Sequence, residues 1–333
     1  MADKALVTGA NGFLGRYIAE QLLARGDLVQ VLCRRNDDSL TAAGATLVQG
    51  DVRDKEVVER ACRDRDVVYH VAAVAGIWGP WQHYYSTNTE GSRNVIEACL
   101  SNNVRKLVYT SSPSVTFDGT AQEGIDESAP YPNRWLCHYP HTKALAEQQV
   151  LQANGKNGLL TCSLRPHLIW GPRDRHLIPR VVARAKAGQL RRVGDGSNLI
   201  DMIYVENAAA AHLRAADALQ TNSPVAGRAY FLSQGEPVNC WEWINEILGI
   251  AQVPPLKKSI SIRAAWRIGW VLENVHRTLR IRSEPRMTRF LAAQLGTSHY
   301  FDIRRARDDF GYEATVSTEE GMRRLAAEWT QND

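Results

Sequence analysis

No stretch of this sequence runs through the roughly 18 to 20 apolar residues that crossing a bilayer requires. No run of basic residues forms a block or interleaves with aromatics in the manner of nucleic-acid binders. With a net charge of only +4, nucleic acid is excluded as the expected partner. The six cysteines (Cys33, Cys62, Cys99, Cys137, Cys162 and Cys240) form no CxxC pair and have no metal-like histidine spacing beside them. They read as reduced, packed thiols of a cytoplasmic protein, and neither a metal centre nor a disulfide framework is expected. The opening MADKALVTGANGFLG lacks the basic, apolar and cleavable succession of a secretory signal, so export is not expected. An internal repeat and a low-complexity linker are missing as well. What is present, 333 residues at 44% hydrophobic and 23% charged, suits one large globular unit or two intimate ones that bury a full core.

Strand-like and helix-like stretches alternate through the first half. Expected strands are 5 to 9, 28 to 33, 45 to 50, 66 to 72, 105 to 112 and 159 to 166, with helical patterns such as FLGRYIAEQLLARG and GSRNVIEACLSNN between them. Short apolar runs separated by helices imply crossover connections and a doubly wound parallel α/β sheet. After about residue 171 the rhythm breaks at GPRDRHLIPR, followed by a helix near 180 to 189, the turn-rich VGDGSN, one more strand pair and helix, and AYFLS. The expectation is a dinucleotide-binding domain of residues 1–171 and 198–232, with a smaller, mostly helical substrate lobe of 172–197 and 233–333.

TGANGFLG places Gly9, Gly12 and Gly15 between the first strand and its helix. One glycine serves the tight turn, one the approach of backbone to a pyrophosphate, and one the contact of helix with strand. Backbone N–H groups of Asn11, Phe13 and Leu14 in this turn and helix start then face the phosphates. The second strand ends Leu32-Cys33-Arg34-Arg35, with no acid before Asp37 to take the ribose hydroxyls of NAD. Two guanidinium forks stand where a 2′-phosphate needs them, so NADP(H) is expected over NAD(H). Asp51 and Val52, in GDVRD, are placed to flank the adenine.

HYPHTK sets Tyr139 and Lys143 four apart, on one helical face. Pro140 is tolerated only in a first turn, which puts Tyr139 at the helix start. A cation fixed beside the phenol would favour phenolate, so the pair can exchange a proton with an alcohol or ketone oxygen. The fifth strand ends in YTSSPSVTF, where Ser112 is the choice for binding the reacting oxygen, with Ser111 and Ser114 as substitutes. Glycine turn, strand-end serine and YxxxK in this order are more specific than any one alone.

Through these motifs the chain resembles the extended short-chain dehydrogenases/reductases along essentially its whole length. Within them it resembles the 3β-hydroxysteroid dehydrogenase family, through TGANGFLG, GDVRD, YTSSPSVTF, YPHTK, SLRPHLIWGPRDRHLIP and DFGYEATVSTEEGMRRL. Two branches are similar. The sterol-4α-carboxylate 3-dehydrogenases share RPHLIWGPRD, whereas bacterial 2-alkyl-3-oxoalkanoate reductases share GIWG, TSSPSV, LIWGPRDRHLIPR, VGDGSNLID, AWRIGWV and MTRFLAAQL more continuously. The resemblance implies a Ser112–Tyr139–Lys143 triad, Pro166 beside the nicotinamide carboxamide, Ala72 and Ala73 along the inner ribose, and Asn88 steadying the cleft. It implies hydride exchange at a 3-keto or 3-hydroxy carbon, most continuously 2-alkyl-3-oxoalkanoate reduction, and a homodimer is the expected assembly. The sequence departs from relatives at Cys33, where many carry aspartate, and at residues 262 to 282, where many carry an apolar anchor.

Trp78, Trp81, Tyr84 and Tyr85 follow the fourth strand, and Trp135 and Trp170 flank catalytic segments, which suits a hydrophobic substrate. Arg173, Arg175 and His176 are candidates for its carboxylate, against a reading as solvated loop. His138 and His141 flank the tyrosine as HxxH without a third metal ligand. Residues 262 to 282 allow a helix packed on its own domain through Ile262, Ala265, Ile268, Leu272, Val275 and Leu279, or one lying in a membrane interface. The packed helix is the expectation, with peripheral membrane contact as the second reading. Two rival functions share the fold: a nucleotide-sugar epimerase or dehydratase, and a non-catalytic NADP-binding regulator.

Overall fold

The apolar runs of the first half are too short for helices and rich in β-branched residues, and they become strands. The computed structural model describes residues 2–35 and 37–332. Its main sheet is built from β1 (Lys4–Thr8), β2 (Leu28–Cys33), β3 (Thr46–Gln49), β4 (Val67–His70), β5 (Lys106–Thr110), β6 (Leu160–Pro166) and β7 (Ala229–Leu232). The spatial order is β7-β6-β5-β4-β1-β2-β3, with every neighbouring pair parallel. The longer helices are α1 (Phe13–Arg25), α2 (Lys55–Cys62), α3 (Gly91–Ser101), α4 (His138–Gln152), α5 (Leu177–Lys186), α6 (Val205–Ala218), α7 (Cys240–Ile250), α8 (Ile262–Thr278), α9 (Arg289–Gly296) and α10 (Thr318–Asn332).

Side chains alternate across the sheet. Val7, Tyr69 and Val108 point to the face covered by Ile18 and Leu22 of α1 and the alanines of α6. Leu6, Val68 and Leu107 point to the face covered by Val58 of α2, Val95 of α3 and Val150 of α4. Burial on both faces is why β4 reads as an unbroken buried run, and the fold is doubly wound. A third core, around Trp170, Tyr204 and Trp243, gathers Ile178 and Val182 of α5 with Ile244 and Ile247 of α7 and forms the smaller lobe.

That lobe also holds a four-stranded sheet of very short strands, in the order 238–239, 199–200, 299–301, 122–125. Gln122–Ile125, which the expected division assigns to the first domain, pairs in parallel with His299–Phe301 and ties the two halves of the chain together. A second departure concerns α8. Its inward residues are Ala265, Gly269 and Glu273, whereas Ile262, Ile268, Val275 and Leu279 of the expected packing stripe are exposed. Backbone proximity explains the choice of small residues, since a Cβ on Gly269 would lie 2.6 Å from the Thr288 carbonyl carbon.

A buried charge fixes α4 to the sheet. Glu147, fully buried, accepts from Arg165 Nη2 at 2.6 Å, from Tyr131 Oη at 2.7 Å and from Ser163 Oγ at 2.7 Å. Burial alone would raise this carboxyl, but Arg165 and the hydroxyls hold it below its usual range. The Arg165 guanidinium in turn lies 5.0 Å from the centre of the Phe231 ring on β7. Removing one member of a buried pair strands the other charge, so Glu147→Gln is expected to lower unfolding free energy by about 3 to 5 kcal/mol in urea titration. Glu147→Leu combined with Arg165→Met should recover most of that loss.

Candidate active site

The first βα turn is built by close approach. Gly9 has φ of +73°, and a Cβ there would lie 2.8 Å from Ala72 Cα after β4. A Cβ on Gly15 would lie 2.4 Å from the Gly9 carbonyl oxygen, and one on Gly12 3.0 Å from it. Gly12 is the N-cap of α1, and no side chain caps that end. Its first-turn N–H groups are therefore left for an anion. Asn11 and Gly12 are exposed, Phe13 is half-buried, and Leu14 and Gly15 are buried, so Leu14 can present only backbone.

Past β2, Cys33 is buried while Arg34 and Arg35 are exposed. Asp37, the first acid after the strand, is held by Arg16, by Ser39 Oγ at 2.6 Å and as the cap of the short helix that follows. Asp51 bonds Arg53 through side chain and backbone, and buried Val52 packs under Gly91. Because β4, β1, β2 and β3 are sheet neighbours, Ala72 and Ala73, the glycine turn, the two arginines and Asp51–Val52 share one end of the sheet. The glycines that a Cβ would fill, the uncapped helix and the cationic strand end fit a dinucleotide.

Beyond β4 the same end continues into β5 and β6. Ser112 follows β5 and caps the single 3₁₀ turn Pro113–Thr116, its Oγ 2.8 Å from Ser114 Oγ. Ser111 is buried and faces Glu147. Tyr139 stands in the first turn of α4 with Pro140 buried behind it, as the sequence required. Burial pushes the phenol up to about 12, against the Ser112 hydroxyl, which draws it back. Pro166 ends β6 and is buried beside Leu232 of β7.

The lysine departs from expectation. Lys143 is fully buried, donates from Nζ to the Thr110 carbonyl at 2.5 Å and sits 4.2 Å from the centre of the Tyr109 ring. One helical turn below Tyr139, it meets the end of β5 before it meets the phenol, and burial rather than a neighbouring cation governs Tyr139. Burial also pushes Lys143 down to about 7, against the pull of Glu147.

Thr8, His70 and Ser92, which no motif marks, complete the support together with Asn88, which the resemblance places at the cleft. Thr8 Oγ1 lies 2.7 Å from His70 Nδ1, His70 Nε2 lies 2.9 Å from Ser92 Oγ, and Ser92 Oγ donates to the Asn88 carbonyl at 2.6 Å. Burial pushes His70 down to about 3 and keeps it neutral. Asn88, in a π-helical turn over Tyr85–Glu90, accepts from Val74 N at 2.7 Å and donates to Val74 O and to Thr142 Oγ1 of α4. The signal available in the sequence was polar residues at interior positions of apolar runs, such as His70 in DVVYHVA.

On the substrate side, Trp81 stacks on Tyr85 at 5.2 Å and meets His138 and His141 at 5.5 and 4.9 Å, and Trp135 stacks on His141 at 5.2 Å. Burial lowers both histidines, which favours neutral imidazoles in this aromatic cluster beside Tyr139. Trp78 lies against His276 of α8, and Tyr84 is buried with its hydroxyl on the Trp78 carbonyl. Trp170 does not belong to the substrate surface: it is fully buried among Tyr204 and Trp243. Arg173 has other work, pairing with Glu20 at 2.7 Å and lying over the Tyr17 ring, which clamps α1 to the loop before α5. Arg175 and His176 are exposed where that loop enters α5.

The lysine gives this site a pH signature. An unfolded lysine keeps its proton up to 10.5, whereas native Lys143 releases it above about 7. Between those values the unfolded state binds more protons, so this group's contribution to stability rises with pH. The melting temperature of the cofactor-free protein minus that of Lys143→Met should climb across the window; a flat difference would mean that the lysine titrates as an exposed one.

Comparisons with known proteins identify the family. The model of the 3-beta hydroxysteroid dehydrogenase/isomerase family matches residues 6–260. The chain is 48% identical over 330 residues to a 2-alkyl-3-oxoalkanoate reductase of Shewanella oneidensis, covering 97% of this chain and 85% of that protein. A 2-alkyl-3-oxoalkanoate reductase of Stenotrophomonas maltophilia is 45% identical, with 97% and 98% covered. A decarboxylating sterol-4-alpha-carboxylate 3-dehydrogenase of Mus musculus is 32% identical, with 97% and 90% covered. Among solved structures, MoeE5 in complex with UDP-glucose and NAD superposes with a TM-score of 0.76 over 99% of both chains at 24% identity, a likeness of fold alone. The family match runs through the glycine turn, the strand-end serine and the tyrosine–lysine helix alike, and the chain belongs to the 3-beta hydroxysteroid dehydrogenase/isomerase family as an NAD(P)-dependent oxidoreductase acting on CH–OH groups.

Proposed function

We propose that this chain is an NADP(H)-dependent reductase of 2-alkyl-3-oxoalkanoates. The observation that carries the reading is Tyr139, its phenol held protonated beside the Ser112 hydroxyl and flanked by the Trp81–Tyr85–Trp135 aromatic cluster. The two full-length bacterial relatives of that name support the substrate class. Gly9, Gly12 and Gly15 would hold the pyrophosphate, and Arg34 and Arg35 the 2′-phosphate. Asp37 is tied to Arg16 and Ser39, which favours the phosphorylated ribose.

When bound, the dinucleotide supplies the hydride for the 3-keto carbon. Ser112 Oγ orients the carbonyl oxygen by donating to it. Tyr139 Oη holds the proton that this oxygen needs, and a phenol pushed up to about 12 is in the protonated form that a reduction requires. Lys143, pushed down to about 7 and anchored on the Thr110 carbonyl, would hold the cofactor ribose one helical turn along α4 from Tyr139. The aromatic cluster excludes water and takes the alkyl chains. Reduction keeps a 3-hydroxy acid intact, whereas oxidation of such an acid yields a 3-keto acid that loses CO₂.

NADPH and NADH consumption against a 2-alkyl-3-ketoacid and a 3-ketosteroid tests the reading. Turnover of the ketoacid with NADPH preferred is expected, with kcat reduced roughly 10²- to 10⁴-fold in Tyr139→Phe and the NADPH preference lost in Arg34→Ala with Arg35→Ala. Activity confined to the steroid moves the assignment to the sterol branch, and an unaffected Tyr139→Phe removes the tyrosine from the chemistry.

A further inference from the structure

Ten large hydrophobic side chains stand exposed among the described residues, and eight of them lie between Ile262 and Ile281. Such a concentration on one helix and the turn after it marks an interaction surface. The inward face of α8 explains how it arises. Gly269 packs on the backbone of 288–289, and buried Glu273 accepts from Arg289 N at 2.7 Å and Nε at 2.9 Å. The helix is thus anchored through small residues and one charge, and its large apolar residues face outward.

Helical spacing orders them. Ile268, Val271, Val275 and Leu279 step by three or four residues along one exposed stripe, while Trp266 and Trp270 are four apart on the other flank, with Arg263 and Arg267 between. Every exposed charge from 257 to 286 is cationic, two lysines and six arginines. The two acids of that stretch are taken up, Glu273 by Arg289 and Glu284 by Arg180 and Arg184.

We propose that α8 docks the protein on an anionic lipid bilayer, lying along the headgroup region with its apolar stripes in the acyl boundary and its arginines on the phosphates. Tryptophans and aliphatic stems at the acyl boundary with guanidinium heads reaching outward are the pattern such a surface requires. The wholly cationic rim selects anionic lipid. It also disfavours a second copy as the occupant, because an isologous contact would set arginines against arginines. The surface continues to the catalytic cleft, since Trp78 after β4 contacts His276 at 5.8 Å between ring centres and carries the Arg277 guanidinium at 5.8 Å. Delivery of an alkyl-chain substrate from the bilayer to Tyr139 rests on the function proposed above; the docking itself does not.

Sedimentation of the full chain with vesicles of phosphatidylcholine, alone or mixed with phosphatidylglycerol, tests the docking without any turnover. Binding to the mixed vesicles is expected, at least tenfold tighter than to phosphatidylcholine alone. Val271→Asp with Leu279→Asp should weaken it tenfold or more, and Arg267→Gln with Arg280→Gln by roughly tenfold on the mixed vesicles. These four residues are exposed, and circular dichroism matching the wild type keeps a loss of binding from being read as unfolding. Absent binding, equal binding to both vesicles, or variants that bind like the wild type overturn the proposal. So does sedimentation velocity in which Val271→Asp with Leu279→Asp converts a dimer to a monomer, which reassigns the face to self-association.

Discussion

The ion pair between Glu147 and Arg165 is the interaction on which the site depends. It joins the middle of α4 to β6, recruits Tyr131 from the loop before α4 and stacks beneath Phe231 of β7. Lys143 and Tyr139 lie one and two turns toward the N-terminus of the same helix, so the register of α4 on the sheet sets where the ammonium and the phenol stand. A buried charge is an expensive way to hold a helix, and its geometric specificity is the return: an apolar contact tolerates sliding, whereas a carboxylate bonded by a guanidinium and two hydroxyls does not.

A second, neutral polar network holds the neighbouring strands. Thr8, His70 and Ser92 form a buried chain beneath the ends of β1 and β4, and Thr8 Oγ1 also receives the N–H groups of Val71 and Ala72. This closes β4 against the glycine turn at the place where Gly9 leaves no room for a Cβ. Asn88 then carries the connection to Thr142 of α4. The glycine turn and α4 are thereby parts of one bonded unit, in which satisfied buried groups give rigidity.

The same low-polarity surroundings govern the chemistry. Burial raises the phenol of Tyr139 and lowers the ammonium of Lys143, two groups that start near 10 and end on opposite sides of it. Burial disfavours the charged form of each, so the phenol keeps its proton and the amine loosens one. The periphery follows the opposite logic. On α8 the apolar residues face outward because backbone contact with 288–289 leaves no room for a side chain at Gly269, while Ala265 and the ion-paired Glu273 take the neighbouring inward positions.

Pattern and local chemistry in the sequence were enough for the parallel sheet, since β4 and β5 are apolar runs bounded by turns and their crossovers are helical. They were also enough for the glycine turn, for Tyr139 in a first turn marked by Pro140, and for the cationic end of β2, each being a short-range stereochemical requirement. Tertiary structure alone decided the rest. Trp170 and Arg173 look like site residues in a line of text, but one is enclosed by Tyr204 and Trp243 and the other is paired with Glu20. Lys143 reaches the Thr110 carbonyl, not the phenol, because the end of β5 lies where the side chain extends. The outward face of α8 was invisible to periodicity, which reports that apolar residues share a stripe and not which surface the stripe meets.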